Sequence, residues 1–394
     1  MDLEKKVPHP SVKWSVSAIS LIASVLLQTA APAVWAQAAA GPVRAIPVAQ
    51  GLESPWALAF LPEGRFLVTE RPGRLRVVEA DGRLNPPLAG LPAVAAGGQG
   101  GLLDVVLDRG FASNRTLYFC FSEPAPAGAA GNSTALARAR LSEDRTRLED
   151  LRVIFSQRPK VASSLHFGCR IVEGMKDGRP GGALFLALGE RAQRMQDAQT
   201  LDNHHGKIVR IGKDGSVPKD NPFVGRAGAL PEIWSYGHRN PQGATLGPDG
   251  RLWMHEHGPQ GGDEINLPQP GRNYGWPVIT FGEQYGGGPI GAGITAKAGM
   301  EPPLHHWTPS IAPSGMAFLT SDRYGPAWKG SLFVGSLKFQ FLNRVELSGT
   351  RVVGEERLLG DLRERIRDVR QGPDGYLYLL TDNAKGRLLR LMPP

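Results

Sequence analysis

Apolar residues recur along this chain in short alternating runs that are interrupted by turns rich in glycine and proline. The clearest copies lie at residues 56–68, 243–254 and 369–380, and the last two share the turn sequence Gly-Pro-Asp-Gly. Proline presets one backbone dihedral of a tight turn and glycine accepts a positive φ, while alternation places every second side chain on one face. Each copy therefore predicts a strand–turn–strand unit.

Three looser copies fill the spaces between the clear ones, at residues 101–121, 166–188 and 314–334. The six units recur at intervals of about 45 to 75 residues, which is typical of propeller blades. A propeller closes its blades into a ring and so protects the strand edges. We predict an all-β fold in which residues 37–394 form a six-bladed β-propeller, with the functional site at one mouth of the central channel. Seven blades are the alternative, and two β-sandwiches would leave the repeated turn unexplained.

The first 36 residues have the features of an export signal rather than of the fold. Three lysines precede a mostly apolar run at residues 16–27, and small residues follow at 34 and 36. We predict a signal peptide over residues 1–36, cleaved after Ala36, and a periplasmic or secreted mature protein. The run is short for a membrane span, so an uncleaved anchor is the alternative. No second long apolar stretch follows, and no membrane partner is expected after cleavage.

Composition narrows the class of partner. The 394 residues are 41% hydrophobic and include 8 Trp, as expected for a packed globular protein. The formal net charge is +8, and the basic residues are scattered along the chain rather than gathered in a tail. Scattered positive charge can favour an anionic ligand or cofactor. No nucleic-acid-binding motif is present, so we expect no nucleic-acid partner.

Two cysteines, Cys120 and Cys169, remain in the predicted mature chain. An oxidising compartment permits a bridge between them, but sequence alone does not show whether their geometry fits one. In a large domain two cysteines are more often buried apolar fillers. That is the expectation here, with a disulfide as the alternative.

The most polar and glycine-rich stretch lies between residues 234 and 276. Asp263 and Glu264 lie near Gly and Pro residues that free backbone carbonyls, and this donor set suits a hard cation such as Ca²⁺. His255 and His257 also invite a zinc hypothesis, which is weak because a zinc-binding helix needs two histidines four residues apart. The stretch therefore predicts a calcium site.

Further candidate side chains lie outside this stretch. His166 is a candidate general base, because a neutral imidazole takes up a proton near pH 7, although a lone histidine is often structural. Gln99 lies in Gly-Gly-Gln-Gly-Gly, which lacks the Lys and Ser/Thr of a phosphate loop and is interpreted as a hydrogen-bonding loop. Arg365 and Arg367 share a strand face. They form a carboxylate clamp if they face the channel mouth, and otherwise a solvent-facing pair.

Together these stretches resemble the soluble quinoprotein aldose sugar dehydrogenases, relatives of soluble quinoprotein glucose dehydrogenase. The resemblance covers nearly all of residues 45–392, and its most specific parts lie at 237–243, 258–267, 273–277, 310–314 and 365–369. It implies a six-bladed propeller that binds pyrroloquinoline quinone (PQQ) and Ca²⁺. It also implies an enzyme, an oxidoreductase that acts on the CH–OH group of aldose sugars.

The resemblance further implies roles for individual residues, all of which are candidates at this stage. The residues implied to bind the quinone are Arg239, Asn240, Gln242, Ser310, Lys338, Arg365 and Arg367. The backbone carbonyls of Gly258 and Pro259 are implied to hold a catalytic Ca²⁺, and Glu264 and Tyr274 match a second, structural Ca²⁺ site. The implied catalytic residues are His166 as proton acceptor, Arg239 and Gln99, which orients the sugar.

In the implied mechanism, His166 takes the proton of the anomeric hydroxyl while the anomeric hydride moves to the quinone. Ca²⁺ polarises the receiving carbonyl, and Arg239 stabilises charge on it. The product is a lactone, and an external acceptor takes the electrons. Glucose-type relatives place Asp immediately before the catalytic His, whereas this chain has Leu165, so either another acceptor orients the imidazole or the base is weaker.

Loops that shape the sugar cleft and the dimer contact in glucose-type relatives are shortened here, which predicts an open cleft and broad aldose acceptance and leaves dimerisation open, so that a monomer or weak dimer is expected. Two other functions remain as alternatives. A calcium-dependent propeller lactonase would share the metal and the acidic loops, but it would not need three cationic side chains together. A non-enzymatic periplasmic binding propeller would explain the fold and the export signal alone.

Overall fold

Each of the six predicted strand–turn–strand units forms the inner hairpin of a four-stranded antiparallel sheet. The computed structural model describes residues 43–176 and 179–393, without the side chains of residues 176 and 179–181. Six such sheets are present in this part of the chain. The predicted six-bladed all-β propeller is therefore confirmed, and the seven-blade alternative is wrong. The predicted signal peptide at residues 1–36 lies outside the described residues.

The strands follow one another in chain order within each blade. Strand β1 is Arg44–Leu52; blade one holds β2 (Pro55–Phe60), β3 (Phe66–Glu70), β4 (Arg74–Val78) and β5 (Leu84–Pro87). Blade two holds β6 (Leu102–Leu107), β7 (Thr116–Pro124), β8 (Asn132–Leu141) and β9 (Leu148–Ser156). Blade three holds β10 (Gly168–Lys176), β11 (Arg179–Leu188), β12 (Lys207–Ile211) and β13 (Ile233–Tyr236).

The second half of the ring repeats the arrangement. Blade four holds β14 (Pro241–Leu246), β15 (Leu252–Glu256), β16 (Asp263–Asn266) and β17 (His305–Trp307). Blade five holds β18 (Pro313–Phe318), β19 (Leu332–Ser336), β20 (Leu342–Ser348) and β21 (Arg351–Leu358). Blade six holds β22 (Ile366–Gln371), β23 (Leu377–Thr381) and β24 (Gly386–Met392), and its outer strand is β1. The helices are short: α1 (Phe111–Asn114) and the 3-10 helices Pro62–Gly64, Met195–Gln199 and Gly360–Leu362.

Blade six closes the ring by joining the two ends of the described chain. Strand β1 pairs antiparallel with β24, from Arg44 opposite Met392 to Leu52 opposite Gly386. The innermost strands β2, β6, β10, β14, β18 and β22 each contact the next, and β22 contacts β2. The innermost strands thus form a closed ring around the channel, where their short edges are protected from other chains.

The turns behave as the sequence predicts. Gly250 and Gly375 of the two Pro-Asp-Gly turns have φ of +76° and +83°, which residues with a Cβ rarely adopt. Apolar faces pack between neighbouring blades, and one large cluster joins Trp56 of blade one, Phe119 of blade two and Leu186 of blade three. Burial of these faces fixes the blades against each other.

Cys120 and Cys169 form a disulfide, with their Cα atoms 5.9 Å apart. The expectation of two unpaired buried fillers was therefore wrong. Cys120 lies on β7 of blade two and Cys169 on β10 of blade three, and both are fully buried. Packing of adjacent blades brings the two residues together across a separation of 49 positions, which the local sequence does not reveal.

Four charged side chains meet inside the ring. This channel cluster consists of Asp104 on β6, Arg170 on β10, and Asp368 and Arg370 on β22. Arg170 lies 3.2 Å from the Asp104 carboxylate and 3.0 Å from that of Asp368. Arg370 lies 2.6 Å and 3.0 Å from the same two carboxylates. Two positive and two negative charges thus compensate one another in a site where an unpaired charge would be costly.

The described residues include no helix that combines the length and the apolar character needed to cross a bilayer.

Candidate active site

A cavity of about 890 Å³ opens at one mouth of the ring. Its walls come from the starts of innermost strands, such as Trp56 on β2 and Gln242 on β14, and from connections that follow second strands, such as Pro259 and Asp382. In an antiparallel blade these positions lie at the same end. The Pro-Asp-Gly turns lie at the opposite end, so the cavity occupies a single mouth.

Most of the predicted site residues lie at this cavity. Those that line it are Gln99, Gln242, Pro259, Ser310, Lys338, Arg365 and Arg367. Three others touch residues that line it or are adjacent to them in sequence. The His166 amide donates to Gln99 Oε1 at 2.8 Å, the Asn240 side chain accepts from the Gly168 amide, and Arg239 donates to the carbonyl of Gly258, next to Pro259. The fold thus gathers residues from across the sequence at one cavity.

His166 lies in the connection before β10, with a positive φ of +50°. Its Nδ1 is 2.8 Å from Oε1 of Glu190, which follows β11 and is almost fully buried. Gly189 permits this approach, because a Cβ there would lie 2.0 Å from the His166 carbonyl oxygen. With the Nδ1 proton held by Glu190, Nε2 of a neutral ring is the proton-accepting atom.

The surroundings keep His166 neutral. Burial lowers the pKa of His166 below its usual value; Glu190 raises this pKa, and the nearby positive charge of Arg239 lowers it. The net direction is downward, so the imidazole stays unprotonated at neutral pH. A buried neutral histidine with an oriented tautomer is suited to general-base chemistry.

Glu190 supplies the acceptor that Leu165 cannot, and sequence reasoning missed it. Leu165 is 41% exposed, and its side chain has no polar atom. The missed signal was the acidic residue in Gly189-Glu190-Arg191, at the end of the same predicted strand–turn–strand unit that begins at His166.

The walls of the cavity carry an excess of positive charge. This mouth cluster consists of Arg71, Lys338, Arg365, Arg367 and Asp382, all of which line the cavity. Asp382 lies 2.9 Å from both Arg365 and Arg367. Four cationic side chains and one carboxylate line the cavity, so the lining carries three more positive charges than negative charges.

Arg71 and Asp382 were not among the predicted site residues. Asp382 follows β23 of the third clear strand–turn–strand unit, and Arg71 follows β3 of the first. Each residue directly follows the second strand of a predicted strand–turn–strand unit, and this position is the sequence signal that could have identified both. The guanidinium of Arg71 also donates to the Gly98 carbonyl beside Gln99.

The predicted metal-binding carbonyls lie in a tightly held segment. Arg239 Nη1 donates to the carbonyl of Gly258 at 2.8 Å and to that of His257 at 3.2 Å. The Gly258 amide donates to Asp263 Oδ1, while Asp263 Oδ2 accepts from the Ser310 hydroxyl at 2.7 Å. Asp263 therefore joins the Gly258 segment to Ser310.

Glu264 and Tyr274 lie away from the cavity walls. Glu264 is buried and accepts from the Asn266 amide, which also donates to Glu256. Burial, together with the neighbouring carboxylate of Glu256, raises the pKa of Glu264 well above its usual value. The Tyr274 hydroxyl donates to the Leu267 carbonyl. Residues 43–176 and 179–393 contain no group of three or more His, Cys, Asp or Glu side chains arranged to hold a metal.

The chain belongs to the Glucose / Sorbosone dehydrogenase family, whose sequence pattern matches residues 52–390. It is 49% identical over 345 residues to the aldose sugar dehydrogenase YliI of Escherichia coli (strain K12), a match that covers 87% of this chain and 91% of that protein. The predicted family is thereby confirmed.

Two solved structures share the fold throughout. The apo-form of the soluble aldose sugar dehydrogenase from Escherichia coli is 46% identical with a TM-score of 0.84, covering 89% of this chain and 100% of that one. The PQQ-bound form of the aldose sugar dehydrogenase from Streptomyces coelicolor is 30% identical with a TM-score of 0.72, covering 90% and 99%.

Proposed function

We propose that this chain is a PQQ- and calcium-dependent aldose sugar dehydrogenase that oxidises the anomeric carbon to a lactone. The observation that carries the proposal is the juxtaposition of a buried His166–Glu190 pair with a cationic cavity. The resemblance of the chain to aldose sugar dehydrogenases supports it, including one whose structure contains PQQ. The activity also needs an external electron acceptor, whose identity stays open.

The cavity fits a cofactor with three carboxylates. Its lining carries three more positive charges than negative charges. In addition, the Nε atoms of Arg239 and Arg367 are buried without a hydrogen-bond partner among the described residues. A carboxylate near these guanidiniums would form charge-assisted hydrogen bonds. Trp56, Phe167 and other apolar lining residues offer surface to a flat ring system.

The residues divide by role in this proposal. The residues that would hold the quinone are Lys338, Arg365, Arg367, Asn240, Gln242 and Ser310, together with Arg239. The carbonyls of Gly258 and Pro259 would hold a catalytic Ca²⁺, and Glu264 with Tyr274 would belong to a second Ca²⁺ site. When bound, the quinone accepts the hydride, and Ca²⁺ polarises its carbonyl.

His166 and Gln99 act on the sugar itself. His166 Nε2 takes the proton of the anomeric hydroxyl, while Glu190 holds the Nδ1 proton and stabilises the resulting imidazolium. Gln99 uses Oε1 for the His166 amide, which leaves its side-chain NH₂ to donate to a sugar hydroxyl. Arg239, which also donates to the His257 carbonyl, would present positive charge where negative charge develops.

Cellular context forms part of the proposal. Export through a signal peptide at residues 1–36, with the mature domain from residue 37, would deliver the protein to the periplasm or outside the cell. The Cys120–Cys169 disulfide supports this, because such bridges persist in oxidising compartments. We propose a monomer or weak dimer.

The test is dye reduction by the purified protein with a panel of aldoses, with and without PQQ and Ca²⁺. We expect turnover only when both are present. His166→Ala should retain PQQ binding, measured by fluorescence titration, and lose about a thousandfold in kcat. A matched control is His305→Ala, which removes another His–Glu pair, 3.0 Å from Glu355, at the outer edge of blade four. Turnover of His166→Ala at the wild-type rate would refute the base assignment.

A further inference from the structure

A buried arginine stands next to Glu190 without an ion-pair partner. Arg191 is fully buried, and its Nε and Nη1 atoms have no hydrogen-bond partner in the described part of the chain. None of the carboxylates in that part forms an ion pair with it. Burial lowers the pKa of Arg191 to about 10, so the guanidinium stays charged at neutral pH. A buried charge without a partner is costly, so stability alone does not account for an arginine at this position.

The contacts of Arg191 reach both sides of His166. Its Nη2 donates to the backbone carbonyl of Ser163, three residues before His166. Its own carbonyl accepts from the Ser163 hydroxyl at 3.0 Å. On the other side, its guanidinium lies over the ring of Phe167, 3.6 Å from the centroid, as in a cation–π contact. One residue thus holds both flanks of the proposed base.

A third contact ties Arg191 to blade two. Its Nη2 also donates to Asn132 Oδ1, at the start of β8. Phe167 in turn packs against the loop that carries Gln99, where a Cβ on Gly100 would lie 2.7 Å from the Phe167 ring. The guanidinium therefore connects the end of β11, which carries Glu190, with blade two and, through Phe167, with the Gln99 loop.

The backbone around the base needs such support. His166 and Arg191 have φ of +50° and +67°, in the left-handed region that residues with a Cβ rarely adopt. Such conformations persist where the surrounding structure holds them. The 2.8 Å contact between His166 Nδ1 and Glu190 Oε1 joins these two stretches, so it depends on both being held.

We propose that Arg191 is a positioning residue for the oxidation: by gripping Ser163 and Phe167 it holds the His166 imidazole in place against Glu190. The inference rests on the proposed function and adds to it a residue that acts through His166. Arginine suits this role, because a planar guanidinium can stack on a ring through its face while its edge donates hydrogen bonds. Lysine would keep the charge without the planar fork.

The charge of Arg191 also acts on the base. Charged and titratable groups influence His166 from three places: Glu190 and Arg191 after β11, Arg239 before β14, and His257 after β15. Burial lowers the pKa of His166 most; Glu190 raises this pKa, and Arg239 and Arg191 lower it. Burial also lowers the pKa of His257 to about 3, so that ring is uncharged at neutral pH. Removal of Arg191 should therefore raise the pKa of His166.

The first test replaces Arg191 in protein loaded with PQQ and Ca²⁺. Arg191→Met should lower kcat for glucose about tenfold and change KM less than about twofold, because the base is misplaced while the sugar contacts remain. Its acid limb in the kcat–pH profile should move to higher pH, since activity needs neutral His166. Arg191→Lys should keep the acid limb at the wild-type pH and lower kcat about threefold.

The matched control is Arg344→Met in blade five. The side chain of Arg344 is 11% exposed, and its guanidinium lies 5.3 Å from the Trp328 ring centroid. This variant also removes a largely buried arginine that contacts an aromatic ring, but away from His166. Its kcat and its acid limb should both match the wild type.

Histidine NMR gives a second readout that does not depend on turnover. The ring-nitrogen shifts of labelled His166, assigned with His166→Ala, report its pKa and tautomer in the purified protein before PQQ is added. We expect one tautomer with the proton on Nδ1 in the wild type, and a higher pKa with mixed tautomers in Arg191→Met.

The proposal is overturned if Arg191→Met keeps the wild-type kcat, if it changes only KM, or if the pKa and tautomer of His166 do not change. Should Arg191→Met fail to fold, a wild-type kcat and tautomer in Arg191→Lys would overturn it as well. If the wild-type protein oxidises no aldose, the proposed function fails, and the NMR comparison still decides whether Arg191 positions His166.

Discussion

Two groups of charges share the ring, and they are built in opposite ways. The channel cluster pairs two arginines with two aspartates, all in direct contact, and so leaves no net charge. The mouth cluster sets four cations against Asp382 alone. Both draw on strand β22, where Arg367 belongs to the mouth cluster and Asp368 to the channel cluster.

The difference separates stability from binding. A compensated buried cluster holds blades together and offers nothing to a ligand, because every charge already has a partner. An uncompensated cluster at an open mouth attracts anions and is completed by one. Adjacent residues of a single strand thus serve two purposes, according to which partners surround them.

The largest effect on stability is expected in the channel cluster. Asp104→Ala leaves Arg170 and Arg370 short of a partner, and should lower the free energy of unfolding by about 3–5 kcal/mol. Urea denaturation measures this, and PQQ affinity of the folded protein should stay within about twofold. Asp249→Ala, which removes the exposed ion pair with Arg251, is the control and should cost about 0.5 kcal/mol or less. If Asp104→Ala lowered the free energy of unfolding as little as Asp249→Ala does, the channel cluster would not be a source of stability.

The mouth cluster should show the reverse pattern. Arg367→Ala is expected to weaken PQQ binding about 10- to 100-fold, since it removes a buried cation that faces the ligand. The free energy of unfolding should fall less than in Asp104→Ala, because Asp382 retains Arg365. Fluorescence titration at two salt concentrations measures the affinity and its electrostatic share. Unchanged affinity would mean that the positive excess does not recruit the cofactor.

A smaller and more specific effect is expected at Glu190. Glu190→Gln should lower kcat about tenfold, because an amide no longer stabilises the imidazolium or enforces its tautomer. Activity needs neutral His166 and is lost as pH falls through its pKa. Glu190 raises that pKa, so its removal should move the acid limb of the kcat–pH profile to lower pH. A shift to higher pH, or none, would contradict the pairing.

Local patterns predicted the blades because each inner hairpin depends on its own turn and alternation. Pro-Asp-Gly at 248–250 and 373–375 needs no distant partner to form a turn. The closed ring was predicted, but the pairing that closes it was not, since nothing in residues 44–52 indicates pairing with residues 386–392. The Cys120–Cys169 bridge was missed for the same reason.

The same distinction between local pattern and distant packing applies to the candidate site. Residues carried by sequence motifs, such as His166 and Arg367, lie at the cavity, where the resemblance implied them to act. Their partners Glu190 and Asp382 lie outside those motifs, and they became visible only as distances of 2.8 and 2.9 Å. Charge partners depend on packing between strands, and a linear pattern does not contain that information.

The closure of blade six also has a consequence for how the chain is made. Among the strands of the ring, β1 is synthesised first and its partner β24 last, so the ring stays open until all the other strands have left the ribosome. Each of the other five blades consists of four consecutive strands, so its sheet can form as soon as those strands have been synthesised. Closing the sixth joins the most distant segments of the chain, and pairings of that kind are slow to form. Until then β24 presents an unpaired edge, so the interval between synthesis and closure is when this protein is most exposed to aggregation.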